Sequence, residues 1–297
     1  MTERALCMQY DNFEDDVFDI QATFKALRKA RGYTQADLAD GTVSKSLISK
    51  FESGNSMISA DKMLHLISKL NMTANEFVAA LTHYQPDHMQ RLYQTLNQLY
   101  FSGLQGADGA EKLIVEGATD KFDILSNIMI KSVLQEMTGQ HYICDRDRYI
   151  VGDYLTDIDN WTEFEVKLLY YVCPILDSGD CRWFGEILIE RQSYFYHGVH
   201  RRLFILTLIR LYQCLLEHET LDYATFFRDK ICQLAFDDHL IATVKFQILR
   251  DFHDYINKPT KENVIKAERY LEQVEALGIK SIVDDARARL RRQNEHD

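Results

Sequence analysis

Apolar residues recur at helical spacing of about three to four positions along almost the whole chain, while alternating apolar and polar runs are short. This pattern predicts an all-α protein. Ile20, Phe24 and Leu27 form one stripe of a first helix over 17–31, which Gly32 closes as a left-handed cap. Thr34, with Asp37 three residues on, is a capping box that opens a second helix, and Ser44 caps a third that stops at Ser53-Gly54. Ser59 heads a fourth helix, with Met63, Leu64, Ile67 and Leu70 at helical spacing. Thr73 and Glu76 make another capping box for a fifth, ending near Leu81.

Pro86 marks a joint, because proline bars its predecessor from helix and cannot itself continue one. Beyond it the periodicity predicts helices over 87–103, 108–117, 120–138, 145–157, 162–176, 179–192, 199–218, 220–235, 238–256, 260–276 and 279–292. Two-helix units recur roughly every 35 to 40 residues, the length of tetratricopeptide-like repeats, although the signature residues of those repeats are absent. The expected organisation is an extension over 1–17, a compact five-helix unit over 18–82, a linker over 83–87, and a TPR-like α-solenoid of antiparallel helix pairs over 88–297. The concave side of such a solenoid suits a peptide or another protein.

Charge sharpens that division. The net charge of the 297 residues is −11, yet residues 18–82 carry eight Lys/Arg against six Asp/Glu. The first seventeen residues hold Arg4 against Glu3, Asp11, Glu14, Asp15 and Asp16, and the rest of the excess acid follows His83. A protein so acidic can meet a polyanion only through a small basic module. Six cysteines (Cys7, Cys144, Cys173, Cys181, Cys214, Cys232) stand without a C-x-x-C pair, as reduced, mostly core thiols. The N-terminus offers acids where a secretory signal needs a basic start, and no apolar run reaches membrane-spanning length, so the sequence predicts a cytoplasmic protein without membrane contact.

The third helix carries the chemistry. At about 100° per residue, Lys45, Ser46, Ser49 and Lys50 fall on one arc of roughly 140°, opposite Leu47, Ile48 and Phe51. A helix that packs on one side and presents only lysines and hydroxyls on the other suits the major groove of double-stranded DNA. Lys45 and Lys50 are the candidates for guanine acceptors. Ser44, Ser46 and Ser49 are candidates for phosphate or base edges, Gln35 at the start of the second helix for a phosphate, and Lys25, Lys29 and Arg31 for the backbone. One such module buries too little surface for tight specific binding, so a homodimer on an inverted-repeat operator is expected. Arg287, Arg289, Arg291 and Arg292 are read as favouring the dipole at their helix's C-terminal end.

Enzyme signatures are weak. His197-Gly198-Val199-His200 lacks further ligands in register, and His218-Glu219 lacks the second histidine of a zinc-protease helix. The sequence predicts no enzyme, no metal and no cofactor. Trp161, Tyr170, Tyr171, Tyr194, Phe195 and Tyr196 either line a pocket or pack between helices.

Several segments resemble a known family. Arg31-Gly32-Tyr33-Thr34-Gln35, Leu38-Ala39-Asp40-Gly41-Thr42-Val43-Ser44-Lys45-Ser46, Ile48-Ser49-Lys50-Phe51-Glu52-Ser53-Gly54, Ser56-Met57-Ile58-Ser59-Ala60-Asp61-Lys62-Met63 and Asn71-Met72-Thr73-Ala74-Asn75-Glu76-Phe77 look like the N-terminal half of Rgg/GadR/MutR-type regulators, with an XRE-type helix-turn-helix. Trp161-Thr162-Glu163-Phe164-Glu165 is similar to their Trp-x-x-Tyr-Glu element. The resemblance implies a homodimeric transcription factor whose repeat domain binds a short hydrophobic signalling peptide, with Trp161, Tyr170 and Tyr171 near the ligand and RNA polymerase as a further partner. It also implies a structural ion pair between Arg28 and Glu52. Lys25 stands where many relatives have arginine, and Tyr170-Tyr171 where they commonly have Gly-Asn. A ligand-independent dimeric regulator and a protein-interaction scaffold are the alternative readings.

Overall fold

The computed structural model describes residues 19–102, 110–191, 199–234 and 239–294. The extension over 1–17 with Cys7, the aromatics Tyr194, Phe195 and Tyr196, and His197-Gly198 lie outside them, as does the side chain of Arg292. All regular structure among the described residues is helical. The chain divides into two compact units, Met1–Tyr93 and Gln94–Asp297.

In the first unit the helices are α1 (Ile20–Ala30), α2 (Gln35–Leu38), α3 (Lys45–Glu52), α4 (Ala60–Lys69) and α5 (Ala74–Leu81), followed by the start of α6 (His88–Ser102). Their ends follow from local chemistry. Both capping boxes form: Asp37 N–H donates to Thr34 Oγ1 while Thr34 N–H donates to Asp37 Oδ2, and Thr73 and Glu76 do the same for α5. Gly32 and Gly54 take φ of +75° and +76° just past α1 and α3, a region that a β-carbon penalises. Phe24, Leu38, Val43, Ile48, Phe51, Leu66, Ile67, Leu70 and Phe77 meet in one core that takes a side chain or more from each of the five helices.

The second unit contains the rest of α6, a 3-10 turn at Glu111–Leu113, then α7 (Lys121–Thr138), α8 (Asp145–Asp157), α9 (Glu163–Val172), α10 (Ser178–Glu190), α11 (Val199–Glu217), α12 (Leu221–Cys232), α13 (Leu240–Asn257), α14 (Lys261–Ala276) and α15 (Lys280–Asn294). Two spans differ from the sequence expectation. Of the helix expected over 108–117, Ala110 is helical and Glu111–Leu113 form a 3-10 turn, and the one expected over 162–176 stops at Val172, where Pro174 turns the backbone into a 3-10 segment, Cys173–Ile175. Contacts run from α7 to α9, α9 to α11, α11 to α13 and α13 to α15, while α8, α10, α12 and α14 pack against this row. Every second helix therefore forms one layer, with members starting about 40 residues apart, as stacked helix pairs require. Gly185 marks one close approach: a β-carbon there would collide with the Phe227 ring on α12.

His253 joins three of these helices from a position fully closed to water. Its Nδ1 lies 2.7 Å from Tyr212 Oη on α11, and its Nε2 lies 3.4 Å from Thr225 Oγ1 on α12. Burial pushes its pKa below the ordinary value. As pH falls, the unfolded chain takes up the proton first, so the stability that neutral His253 contributes is complete above about pH 6.5 and lost below it, by up to about 1.4 kcal/mol per pH unit. The urea midpoint of this unit is expected to fall between about pH 7 and 5.5, and His253→Gln to flatten the slope; an equally steep fall in the variant would contradict this assignment.

Candidate nucleic-acid interface

α3 is fixed from behind and open in front. Ile48 and Phe51 are fully buried and Leu47 is half-buried, whereas Lys45, Ser46, Ser49 and Lys50 are all exposed. Ser44 is exposed as well, but its Oγ accepts the Leu47 N–H and serves as the N-cap. Phe51 packs against Phe24 of α1 at a ring separation of 5.7 Å, which sets the roll of α3 about its axis.

The turn that delivers α3 is a rigid loop. Asp40 Oδ1 accepts the Thr42 and Val43 N–H groups at 2.9 and 3.1 Å, and Asp40 N–H donates to the Val43 carbonyl. Its other oxygen is tied to α4: Lys69 Nζ donates to Asp40 Oδ2 at 2.8 Å and to the Leu38 carbonyl at 3.1 Å, and His65 Nε2 lies 2.7 Å from Asp40 Oδ2. Lys69 and His65 hold the Asp40 carboxyl well below the usual carboxylate range. The sequence reading did not identify this anchor. Asp40 and Lys69 are twenty-nine positions apart, with no periodicity to connect them.

Beneath α3 lies a buried ion pair. Arg28 Nε and Nη2 donate to Glu52 Oε1 and Oε2 at 2.5 and 2.7 Å, and Arg28 Nη1 donates to the Tyr33 carbonyl at 2.6 Å. Burial alone would raise the Glu52 pKa, but donors from Arg28 and Gln35 outweigh it and hold the carboxyl below its ordinary value. The bond to Glu52 likewise raises the Arg28 pKa. Gln35 joins this pair. Its Nε2 donates to Glu52 Oε2 at 2.9 Å, so the side-chain amide faces the ion pair. A carboxylate removed from water needs several donors, and Gln35 supplies the third. Lys25 is half-buried on α1, and Lys29 and Arg31 are exposed.

In the second unit the aromatic residues assigned to a ligand are differently placed. Trp161 is 2% exposed, donates Nε1–H to the Leu155 carbonyl at 3.2 Å and packs on Phe184. Tyr171 is 3% exposed, stacks on Tyr100 and donates to Asn97 Oδ1. Both are core residues, and Tyr170 alone is half-open. Glu165 locks the same element: its Oε2 accepts the Thr162 N–H at 2.6 Å and its Oε1 the Tyr154 hydroxyl at 2.6 Å. The Trp161–Glu165 motif is therefore a joint between α8 and α9, built by packing and capping.

The arginines of α15 also have a role other than the dipole one expected. Arg287 donates to Glu275 at 2.8 Å and pairs with Glu268, both on α14, while Arg289 pairs with Asp285, with Glu217 on α11 and with Glu136 on α7. They hold α15 to its neighbours. Cys173, Cys181 and Cys214 are buried and Cys144 and Cys232 exposed; burial pushes the Cys181 thiol up. His200 is exposed beside Glu163. Among the described residues no group of three or more side chains could hold a metal ion, and no helix is long and apolar enough to cross a membrane.

Comparison with known proteins gives this arrangement a context. Residues 24–77 match a helix-turn-helix family model, which spans α1 to α5, and residues 111–288 match the C-terminal domain of the HTH-type transcriptional regulator Rgg. Among solved structures, the SHP pheromone receptor Rgg2 of Streptococcus dysgalactiae is similar at 19% identity, over 92% of this chain and 99% of that one, with a TM-score of 0.73. A Listeria monocytogenes EGD-e protein assigned as a transcriptional regulator is similar at 16% identity, over 94% and 98%, with a TM-score of 0.75. PrgX in complex with cCF10 is similar at 13% identity, over 92% and 91%, with a TM-score of 0.61. The second match spans more than half of the chain, and together with the first it shows that this protein belongs to the Rgg family of HTH-type transcriptional regulators.

Proposed function

We propose that this regulator works as a homodimer that reads an inverted repeat in double-stranded DNA through α3 and responds to a short peptide bound by its helical-repeat unit. The observation that carries the reading is the exposed arc of Lys45, Ser46, Ser49 and Lys50 on a helix whose other side is buried in the reader core. Lys45 and Lys50 reach guanine acceptors in the major groove, Ser46 and Ser49 the flanking base edges or phosphates, and Ser44 and Lys25 the backbone. Gln35 contributes through the N-terminal end of α2, its side chain being committed to Glu52. The peptide arm is supported by the fold shared with the pheromone receptor Rgg2 and with the PrgX complex. A peptide that favours one arrangement of the repeat helices shifts the spacing of the paired readers, and with it operator affinity or contact with RNA polymerase.

Gel shifts at fixed salt test the DNA face, using a duplex selected by the protein from a random pool. Lys45→Ala and Lys50→Ala should each weaken binding by about 1–3 kcal/mol, or roughly 5- to 150-fold, with unchanged melting of the protein. Undiminished affinity in both variants would remove α3 from the interface.

A further inference from the structure

Three of the six cysteines gather at one place in the helical-repeat unit. Cys173 follows α9 and opens the 3-10 segment, Cys181 lies on α10 and Cys214 on α11. Cys214 Sγ is 3.6 Å from Cys173 Sγ, so two thiols forty-one positions apart in sequence are in van der Waals contact. Cys181 Sγ instead meets the Cys173 carbonyl at 3.5 Å. Both sulfurs of the close pair are shut off from water.

A second feature of the same place is a donor without an acceptor. Arg210 precedes Cys214 by one turn of α11, and its buried Nε–H has no hydrogen-bond partner among the described residues. Glu136 balances the charge of the guanidinium but leaves this N–H over, and a buried unpaired donor calls for a reason. A thiolate is an acceptor of the kind it lacks. The bond to Cys173 and burial push the Cys214 thiol up, which keeps the pair protonated and reduced at rest, while the Arg210 charge pulls the other way.

Closing a disulfide from this contact takes about 1.5 Å of travel, because the bond is about 2.05 Å long. Cys173 stands where the backbone can supply it. The helix has already ended there, Pro174 has no N–H to bind back into α9, and a single 3-10 turn holds the segment through the Leu176 N–H and the Cys173 carbonyl. Pro174 is half-exposed, so a local opening of this turn admits a small molecule to the sulfurs.

We propose that Cys173 and Cys214 close reversibly to a disulfide that locks α9 to α11, with hydrogen peroxide as the oxidant. Cys214 gives up its proton beside Arg210, and the thiolate attacks one peroxide oxygen. The O–O bond breaks, leaving a sulfenic acid on Cys214, and the departing hydroxide takes up the thiol proton as one water. Cys173 then attacks that sulfur, the S–S bond forms, and the sulfenic oxygen leaves with the Cys173 proton as a second water. Two thiols lose two electrons and one peroxide becomes two waters. The cross-link encloses α10 and restricts the unfolded chain, so oxidation stabilises this unit.

The test treats the folded, full-length protein with excess hydrogen peroxide, alkylates it in denaturant and digests it with trypsin. A fragment joining residues 168–182 to 211–228 is expected, and dithiothreitol should release it. Residues 168–182 also carry Cys181, so Cys181→Ala should keep the joined fragment; its loss there would take the bond away from Cys173. Tryptophan fluorescence in urea reads the lock. The oxidised midpoint of the wild type should lie about 1 M above the reduced one, and the two should coincide in Cys214→Ala. Each variant is compared only with itself, so the cost of a vacated core volume does not enter. No joined fragment from the folded protein, or one that forms only after urea has unfolded it, overturns the pair, and equal midpoints in the wild type overturn the lock.

Discussion

Glu52→Ala is expected to unfold the reader unit rather than to retune its sequence preference. The Glu52 side chain is 2% exposed and that of Arg28 8%. Removing the carboxylate leaves a guanidinium in the core with the Tyr33 carbonyl as its remaining hydrogen-bond acceptor there and strands the Gln35 amide. Breaking one half of a buried pair costs about 3–5 kcal/mol, a large part of the roughly 5–15 kcal/mol that stabilises a domain. At about 4–8 °C per kcal/mol for a unit of this size, the melting temperature should drop by at least roughly 12 °C. Hydrogen exchange over residues 20–81 should lose protection together, and affinity for every DNA sequence should fall alike. Replacing both partners, as Arg28→Met with Glu52→Leu, should recover most of the loss, because the cost lies in the unpaired charge and not in the absent bond. A single variant that melts like the wild type while binding a new operator would overturn this account and make Glu52 a specificity residue.

The second large effect is expected from Glu136→Ala in the helical-repeat unit. Arg210 on α11 pairs with Glu136 on α7, and Tyr100 donates to the same carboxylate at 2.8 Å. Burial would raise the Glu136 pKa, but the charge of Arg210 outweighs it and holds the carboxyl below its ordinary value. For Arg210, Glu136 prevails over burial in the same way and raises its pKa well above normal. Arg210 Nε already lacks a hydrogen-bond partner, so the site has no spare acceptor. Deleting Glu136 should cost about 3–5 kcal/mol. Arg289→Ala should cost less, since that cation lies at the margin and shares Glu217 and Asp285. Both tryptophans, Trp161 and Trp183, lie in this unit, so a urea titration followed by their fluorescence reports on it alone. A Glu136→Ala midpoint equal to that of the wild type would show that the Arg210 pair contributes little.

Local signals carried most of the secondary structure. Capping pairs such as Thr34 with Asp37 are complete within four residues, and the energies that fix a helix end act over the same span. The outward face of α3 was equally legible, because helical geometry alone separates Lys45 and Lys50 from Ile48 and Phe51. The Arg28–Glu52 pair was reached only by resemblance, since nothing local joins residues twenty-four positions apart. The bond from Gln35 to Glu52 was not legible for the same reason. A glutamine at a helix start is open to a phosphate until the fold brings a buried carboxylate within reach.

Periodicity, charge and capping, each acting over a few residues, are enough to make this protein helical, to place a small basic module near its N-terminus and to turn one face of α3 outward. Tertiary structure decided which aromatics are core, with Trp161 and Tyr171 enclosed between helices, and which charges pair across α7, α11 and α15. It also decided that Cys214 meets Cys173. Burial and long-range pairing depend on which helices become neighbours, and that is settled by the summed packing of the whole chain and not by any segment of it.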